Sequence, residues 1–119
     1  MTTDPKQMVL AAFVELLRLA DEGKVHSPYC GICHNIGDQL YIDVGDDDDV
    51  YVEACEFFDT VVTYKIWPRW PKFSGCTAYP IPGDEYTYLS LRGGGHWKGW
   101  QGQLRRELLQ FTIEQLNEV

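Results

Sequence analysis

Positive charge is scarce in the first half of this 119-residue chain. Residues 1–60 hold 3 Lys or Arg against 13 Asp or Glu, a net of −10, whereas residues 61–119 hold 7 against 5, a net of +2. An acidic half repels phosphates, so direct binding of DNA or RNA is disfavoured. Such a surface can instead dock on a basic protein surface, and a plain role in solubility is the other interpretation.

Long hydrophobic runs are also missing. No apolar stretch approaches the roughly 20 residues that a membrane-spanning helix needs. The start of the chain lacks the basic-then-apolar order of a signal peptide. We therefore expect no membrane insertion and a cytoplasmic location. With 45% hydrophobic residues and 13% aromatic residues, the chain predicts one globular domain over residues 1–119.

Periodic apolar residues predict a mainly α fold, or an α+β fold, with three to four helices around one core. The first helix has the clearest signals. Thr3 or Asp4 can cap it, Pro5 fits its first position, and Gly23 is a good C-terminal stop. Its apolar face is predicted to contain Val9, Leu10, Phe13, Leu16, Leu17 and Ala20.

A second helix is predicted to begin at Ser27 and Pro28, which again form a cap followed by proline. It would end near Gly37 or continue to about Tyr41. Gly31 would then lie inside the helix and weaken it by about 1 kcal/mol relative to alanine. A mid-helix glycine often marks a close approach by another backbone.

Two further helices complete the prediction. Residues 50–65 have helical apolar spacing, although the β-branched stretch 60–64 makes a strand the competing interpretation. The last helix is predicted to begin between residues 97 and 102 and to end near 117. Its broad apolar face would hold Trp100, Leu104, Leu108, Leu109, Phe111, Ile113 and Leu116. Its outer face would hold Arg105, Arg106, Glu107 and Glu114.

Four consecutive aspartates, Asp46, Asp47, Asp48 and Asp49, precede the third predicted helix. Carboxylates suit a helix N-terminus, where unpaired N–H groups and the helix dipole favour negative charge. The run lacks the alternating ligands, central glycine and final glutamate of an EF-hand loop. It is therefore interpreted as a helix cap with solvated charge, and as a candidate contact for a basic partner.

Residues 67–82, the Trp-Pro segment, combine four prolines with four large aromatic rings. Proline excludes a helix interior or a central strand, so we predict a long ordered loop. The rings either pin this loop onto the core or form a recognition surface, since exposed Trp and Arg are typical binding hot spots. We expect Trp67, Phe73 and Tyr79 to be mostly buried. Arg69, Trp70 and Lys72 are the candidate surface residues.

The cysteines leave a metal site open. Cys30 and Cys33 have a spacing that can chelate zinc, and Cys55 with Cys76, or His26 or His34, could complete a tetrahedral site. The second pair lacks the short spacing of a zinc knuckle, so buried thiols are the preferred interpretation, and no cofactor is expected. A redox dithiol is disfavoured because no strand precedes the pair. Gly93–Gly95 lack the Walker spacing and are predicted to be a joint after a short extended piece at residues 86–91.

Three phrases together resemble a class of small proteins of bacteriophages and prophages. The phrases are the Gly-Ile-Cys-His-Asn-Ile stretch at 31–36, the Trp-Pro to Tyr-Pro-Ile-Pro stretch at 70–82, and the Trp-Lys-Gly-Trp-Gln-Gly stretch at 97–102 followed by Arg-Arg-Glu-Leu-Leu at 105–109. The resemblance covers roughly residues 30–115. It implies a phage context and a host cytoplasm, and it carries over no catalytic residues.

The sequence thus favours a phage accessory protein that binds a host protein, with inhibition of a defence or nucleic-acid-processing complex as the possible outcome. The acidic run and the residues Arg69, Trp70 and Lys72 would form the contact surface. The alternative hypothesis is a small zinc-stabilised domain with Cys30 and Cys33 as ligands. An enzyme is the weaker alternative, because no paired-carboxylate or triad spacing is recognisable.

Overall fold

The structure, a computed structural model, describes residues 4–83 and 97–118, and four α-helices are the main elements of these ranges. They are α1 (Pro5–Glu22), α2 (Ile32–Val44), α3 (Asp48–Phe57) and α4 (Gly99–Asn117). No β-strand occurs within these ranges, and the mainly α prediction is confirmed. The extended piece and the glycine joint predicted at 86–95 lie outside the described residues. No helix in the described ranges is long and apolar enough to cross a membrane.

Helix α1 is the centre of the fold and matches its prediction. The Asp4 carboxylate accepts a hydrogen bond from the Lys6 N–H at 3.1 Å, and Pro5 opens the helix. Gly23 has a left-handed φ of 71°, which lets its N–H reach the Ala20 carbonyl and ends the helix. The face of α1 that packs against α2, α3 and α4 buries Val9, Ala12, Phe13, Leu16 and Ala20.

The predicted start of the second helix is wrong. Residues 27–31 form a turn, and α2 begins at Ile32 with Gly31 as its N-cap. The buried Asn35 side chain holds this turn: its oxygen accepts from the Ser27 N–H at 2.9 Å, and its amide donates to the carbonyls of Ser27 (3.1 Å) and Gly31 (2.9 Å). The Asn35 side chain therefore satisfies the backbone groups of this turn and stabilises it. For this reason Ser27 and Pro28 do not begin a helix, although a serine followed by proline is typical of a helix start.

Helix α3 continues without a break into a π-helix over Phe58–Ile66 and a 3₁₀ turn over Trp67–Arg69. The strand considered for residues 60–64 is therefore wrong. Thr60 donates its hydroxyl back to the Glu56 carbonyl at 2.7 Å. The wider π turns bring Phe58, Val62 and Ile66 onto the core.

The aromatic centre of the core joins α1, the π-helix and α4. The Phe58 ring lies 5.9 Å from Phe13 and 5.5 Å from Trp67, measured between ring centroids. Trp67 is fully buried, as predicted, and its indole N–H donates to the Thr112 hydroxyl at 3.0 Å. The Thr112 hydroxyl in turn donates to the Leu108 carbonyl at 2.7 Å, so the indole N–H and the hydroxyl are both satisfied.

Helix α4 begins within the predicted window, but two of its side chains were assigned to the wrong face. Arg105 was expected outside and is fully buried, with its guanidinium 5.9 Å from the centre of the Trp97 ring and one bond to the Gln101 carbonyl at 3.3 Å. A guanidinium over an indole is a favourable cation–π contact, which offsets part of the cost of burying the charge. Trp100 was expected on the apolar face and is 62% exposed.

Candidate functional site

The aspartate run lies at the junction of α2 and α3, and the structure divides its roles. Asp47 is the N-cap of α3, and its carboxylate accepts from the Val50 N–H at 3.2 Å. Asp48 and Asp49 occupy the first turn, where the helix dipole favours negative charge. Asp46 stands in the connecting turn, and the side chains of all four aspartates are exposed. The run is therefore both a helix start and a concentrated patch of negative charge.

Exposed apolar side chains lie beside this charge. Tyr41 and Ile42, in the last turns of α2, are 66% and 64% exposed. The Tyr41 ring stands over Gly45, immediately before the aspartates, at a position where an added Cβ would come within 2.9 Å of it. It also meets the Tyr51 ring of α3 edge to face, with centroids 5.8 Å apart. We name Tyr41, Ile42, Asp46, Asp48 and Asp49 the acidic–aromatic surface.

Tyr51, which contacts the Tyr41 ring, and its hydrogen-bond partner Cys55 are uncharged groups of this junction. The pKa of the Tyr51 phenol is raised mainly by its hydrogen bond with Cys55 and, to a smaller extent, by burial. The carboxylate of Asp38 acts in the same direction. Burial raises the pKa of the Cys55 thiol as well. Both groups therefore stay protonated at neutral pH, and they support the Tyr41 ring as neutral, packed neighbours.

Trp70 does not belong to a surface. It was expected to be a contact residue, but it is only 6% exposed and packs with the core cluster. The reason is that the helical chain continues to Arg69, so the Trp70 ring leaves the end of a turn that is already anchored by buried Trp67. A partner cannot use Trp70 without unfolding this end of the molecule.

The rest of the Trp-Pro segment divides between core and solvent. Arg69 and Lys72 are exposed, and the Lys72 ammonium lies 3.0 Å from the Glu107 carboxylate on α4. Phe73 is half-buried, while Tyr79 was expected to be buried and is 46% exposed. The Ser74 N–H donates to the Pro80 carbonyl at 3.0 Å, which closes the loop on itself.

The four cysteines lie in different parts of the fold. Cys30 is half-buried in the turn before α2, and Cys33 is exposed on its first turn. Cys55 lies in α3 and Cys76 is exposed in the Trp-Pro segment. Within residues 4–83 and 97–118, no group of three or more His, Cys, Asp or Glu side chains is placed to hold a metal ion.

Sequence reasoning found the aspartates but missed Tyr41 and Ile42. A signal was present: Ile32, Ile36 and Leu40 already fill the inward face of α2, so the ring that follows them at 41 points elsewhere. The helix was predicted to end near Gly37 or to continue to about Tyr41, whereas α2 ends at Val44, so Tyr41 and Ile42 lie inside it. Comparisons with protein-family models, curated proteins and solved structures found no match to the chain.

Proposed function

We propose that this protein is a phage-encoded accessory protein that binds a host protein in the host cytoplasm and thereby inhibits a defence or nucleic-acid-processing complex. The observation that carries the proposal is the exposure of Tyr41 and Ile42 beside the carboxylates of Asp46, Asp48 and Asp49. A central apolar contact with a charged rim is the usual anatomy of a specific protein interface. Solubility alone needs the carboxylates but gives no reason to expose the ring and the isoleucine beside them.

The charge of this surface suggests the chemistry of the partner. A basic surface with an apolar depression would pair Lys and Arg with the aspartates and receive Tyr41 and Ile42. Surfaces that hold nucleic acid are basic for the same electrostatic reason. Occupying such a surface with carboxylates would block the nucleic acid, which gives binding an inhibitory consequence.

Arg69 and Lys72 remain proposed contacts because both are exposed, but we give them a minor role. They carry the opposite charge and stand on a different element, and Lys72 already pairs with Glu107. We therefore assign the main contact to the acidic–aromatic surface, and Trp70 has no part in it.

The test is affinity purification from a bacterial host lysate at low salt, followed by mass spectrometry and calorimetry with the purified partner. We expect one stoichiometric partner with a basic surface. Replacing Asp46→Lys and Asp49→Lys together should weaken its binding by about tenfold or more, and Tyr41→Ala should weaken it by a similar factor. Raising the salt concentration should reduce the effect of the charge reversals.

A matched control reverses the same number of charges elsewhere. Glu114→Lys with Glu118→Lys changes two exposed carboxylates at the end of α4. It should leave partner binding within about twofold of wild type, because these carboxylates lie at the C-terminal end of α4, outside the proposed contact surface. If the aspartate reversals and Tyr41→Ala retain the partner as well as this control does, the proposed contact surface is wrong.

A further inference from the structure

We infer that the protein has a second binding site, separate from the acidic–aromatic surface, which takes an aromatic ring bearing a carboxylate. The site is a cavity of about 300 Å³ where the C-terminal end of α1 meets the residues that lead into α4. Its lining includes Ala20, Val25, Pro28, Tyr29, Trp97 and Lys98. This volume is at the lower end of the range for small-molecule pockets, so it fits a single ring with a short polar group.

The walls of the cavity are held in place before any ligand arrives. The Trp97 indole N–H donates to the Cys30 carbonyl at 2.7 Å, and the Arg105 guanidinium lies 5.9 Å from the centre of the same ring. Asn35 donates to the Cys30 carbonyl as well, at 3.3 Å, and fixes the turn that carries Pro28 and Tyr29. A preformed cavity loses little conformational entropy on binding, which favours a specific ligand.

The apolar part of the lining suits a flat ring. Ala20 and Val25 are buried and form an aliphatic floor, and Trp97 is 8% exposed beside them. Tyr29 lines the same cavity yet is 60% exposed, so most of its ring faces solvent. A planar aromatic group would cover the Tyr29 ring by stacking while its edge reaches the floor. Gly23 also lines the cavity, and the space beside it is open, since an added Cβ would meet no atom within 4 Å.

The charged part of the lining suits a carboxylate. Lys98 is exposed at the rim and is the N-cap of α4, where the positive end of the helix dipole adds to its ammonium. The opposing negative end of α1 is weakened, because the N–H groups of Gly23 and Lys24 occupy its last carbonyls. Two carboxylates, Asp21 and Glu22, end α1. Arg18 pairs with Glu22 at 2.6 Å and is shared with Glu15, so the attraction for a ligand carboxylate comes from Lys98 and not from this end of α1.

An aromatic carboxylate has two sources, a small aromatic acid or the C-terminal residue of a peptide. The test is a titration of ¹⁵N-labelled protein, followed through the indole N–H signal of Trp97, which is assigned with Trp97→Phe. N-acetyl-L-phenylalanine represents the small acid, its amide removes the charge, and Gly-Gly-Phe represents a peptide end. We expect saturable shifts with the acid and a dissociation constant on the order of 1 mM.

Two variants separate the ring from the charge. Tyr29→Ala should weaken binding of the acid by about fivefold through lost stacking. Lys98→Met should weaken it by about threefold and should remove the preference for the acid over its amide. Tighter binding of Gly-Gly-Phe than of the small acid, by about tenfold, would identify a peptide end as the ligand, and equal binding would identify the small acid.

Matched controls are Tyr64→Ala and Lys65→Met, which change an exposed ring and an exposed ammonium on the π-helix. Both should bind the acid as wild type does, and circular dichroism should show that every variant is folded. The inference is overturned if neither ligand gives a saturable shift, if the amide binds as well as the acid, or if the controls lose as much affinity as the pocket variants. Each outcome is independent of partner binding at the acidic–aromatic surface.

Discussion

The acidic–aromatic surface and the Trp-Pro segment both contain aromatic rings, but the rings point in opposite directions. At the α2–α3 junction an aromatic ring faces solvent beside four carboxylates, and Tyr41 is 66% exposed. In the Trp-Pro segment the rings of Trp67 and Trp70 turn inward, with exposures of 0% and 6%. Aromatic content therefore does not identify a recognition surface; the element that carries each ring decides where it points.

The difference has a simple physical origin. Helix α2 fills its inward face with Ile36 and Leu40, so the next residue, Tyr41, has no room inside. The Trp-Pro segment begins as a continuation of the π-helix, and the core still has space for Trp67 and Trp70 there. Prolines then turn the chain back, and Pro80 and Ile81 are buried again.

Among the variants considered, Trp70→Ala should lower the free energy of unfolding the most, because the Trp70 ring is buried whereas the Tyr41 ring is exposed. Removing a buried indole lowers the free energy of unfolding by about 3–5 kcal/mol. Tyr41→Ala, at an exposed ring, should change it by no more than about 0.5 kcal/mol. Guanidinium denaturation followed by circular dichroism measures both. Equal effects from the two variants would mean that Trp70 is not part of the core.

Thr112→Val tests whether the hydrogen bond from Trp67 to Thr112 anchors the Trp-Pro segment. The variant keeps the volume of the side chain but removes the hydroxyl that accepts from the Trp67 indole. The buried N–H is then unsatisfied, which should cost about 1–3 kcal/mol of unfolding free energy. Thr60→Val is the control, because Thr60 is exposed and should cost less than about 0.5 kcal/mol. A loss no larger than that of the control would show that this hydrogen bond contributes nothing to stability.

Asp47→Ala tests the division of labour within the acidic run. The Asp47 side chain caps α3, so its loss should lower the unfolding free energy by about 1 kcal/mol. Asp46→Ala removes the same charge from the preceding turn and should change it by no more than about 0.5 kcal/mol. Urea denaturation of both variants decides the matter. Two equal losses would show that bulk charge, rather than the cap, determines the stability of this junction.

Lys72→Met should have the smallest effect. The ion pair with Glu107 joins the Trp-Pro segment to α4, but both side chains are partly exposed. Exposed pairs of this kind contribute about 0.2–1 kcal/mol, and salt screens them. We expect the loss measured by thermal denaturation to shrink as sodium chloride rises from 0.05 to about 0.5 M. A larger loss, unaffected by salt, would indicate that the Lys72 stem packs on the core instead.

Local signals predicted α1 from its cap to its stop. Asp4, Pro5 and Gly23 act through neighbours within a few residues, so the sequence contains the information that the helix needs. The same holds for the aspartates at the start of α3. The candidate contact at Asp46–Asp49 could therefore be predicted from the sequence. The exposed Tyr41 ring beside it could not, because its position depends on how far α2 continues.

Long-range contacts explain what the sequence did not predict. The turn before α2 depends on Asn35, eight residues beyond Ser27, and its pattern of a serine followed by proline is also that of a helix start. Arg105 is buried because the Trp97 ring lies within reach of its guanidinium. The spacing of residues in α4 does not predict this contact. The pocket beside Trp97 has the same origin, since its walls come from elements far apart in the sequence.

The π-helix over Phe58–Ile66 is a place where the chain could be one residue shorter. Its buried residues Val62, Thr63 and Ile66 follow Phe58 by 4, 5 and 8 positions, a spacing that suits hydrogen bonds to the fifth residue. Deleting exposed Thr60 would change those intervals to 3, 4 and 7, the stripe of an ordinary α-helix. The same inward face would be kept, so we expect the fold to tolerate the loss of this one residue.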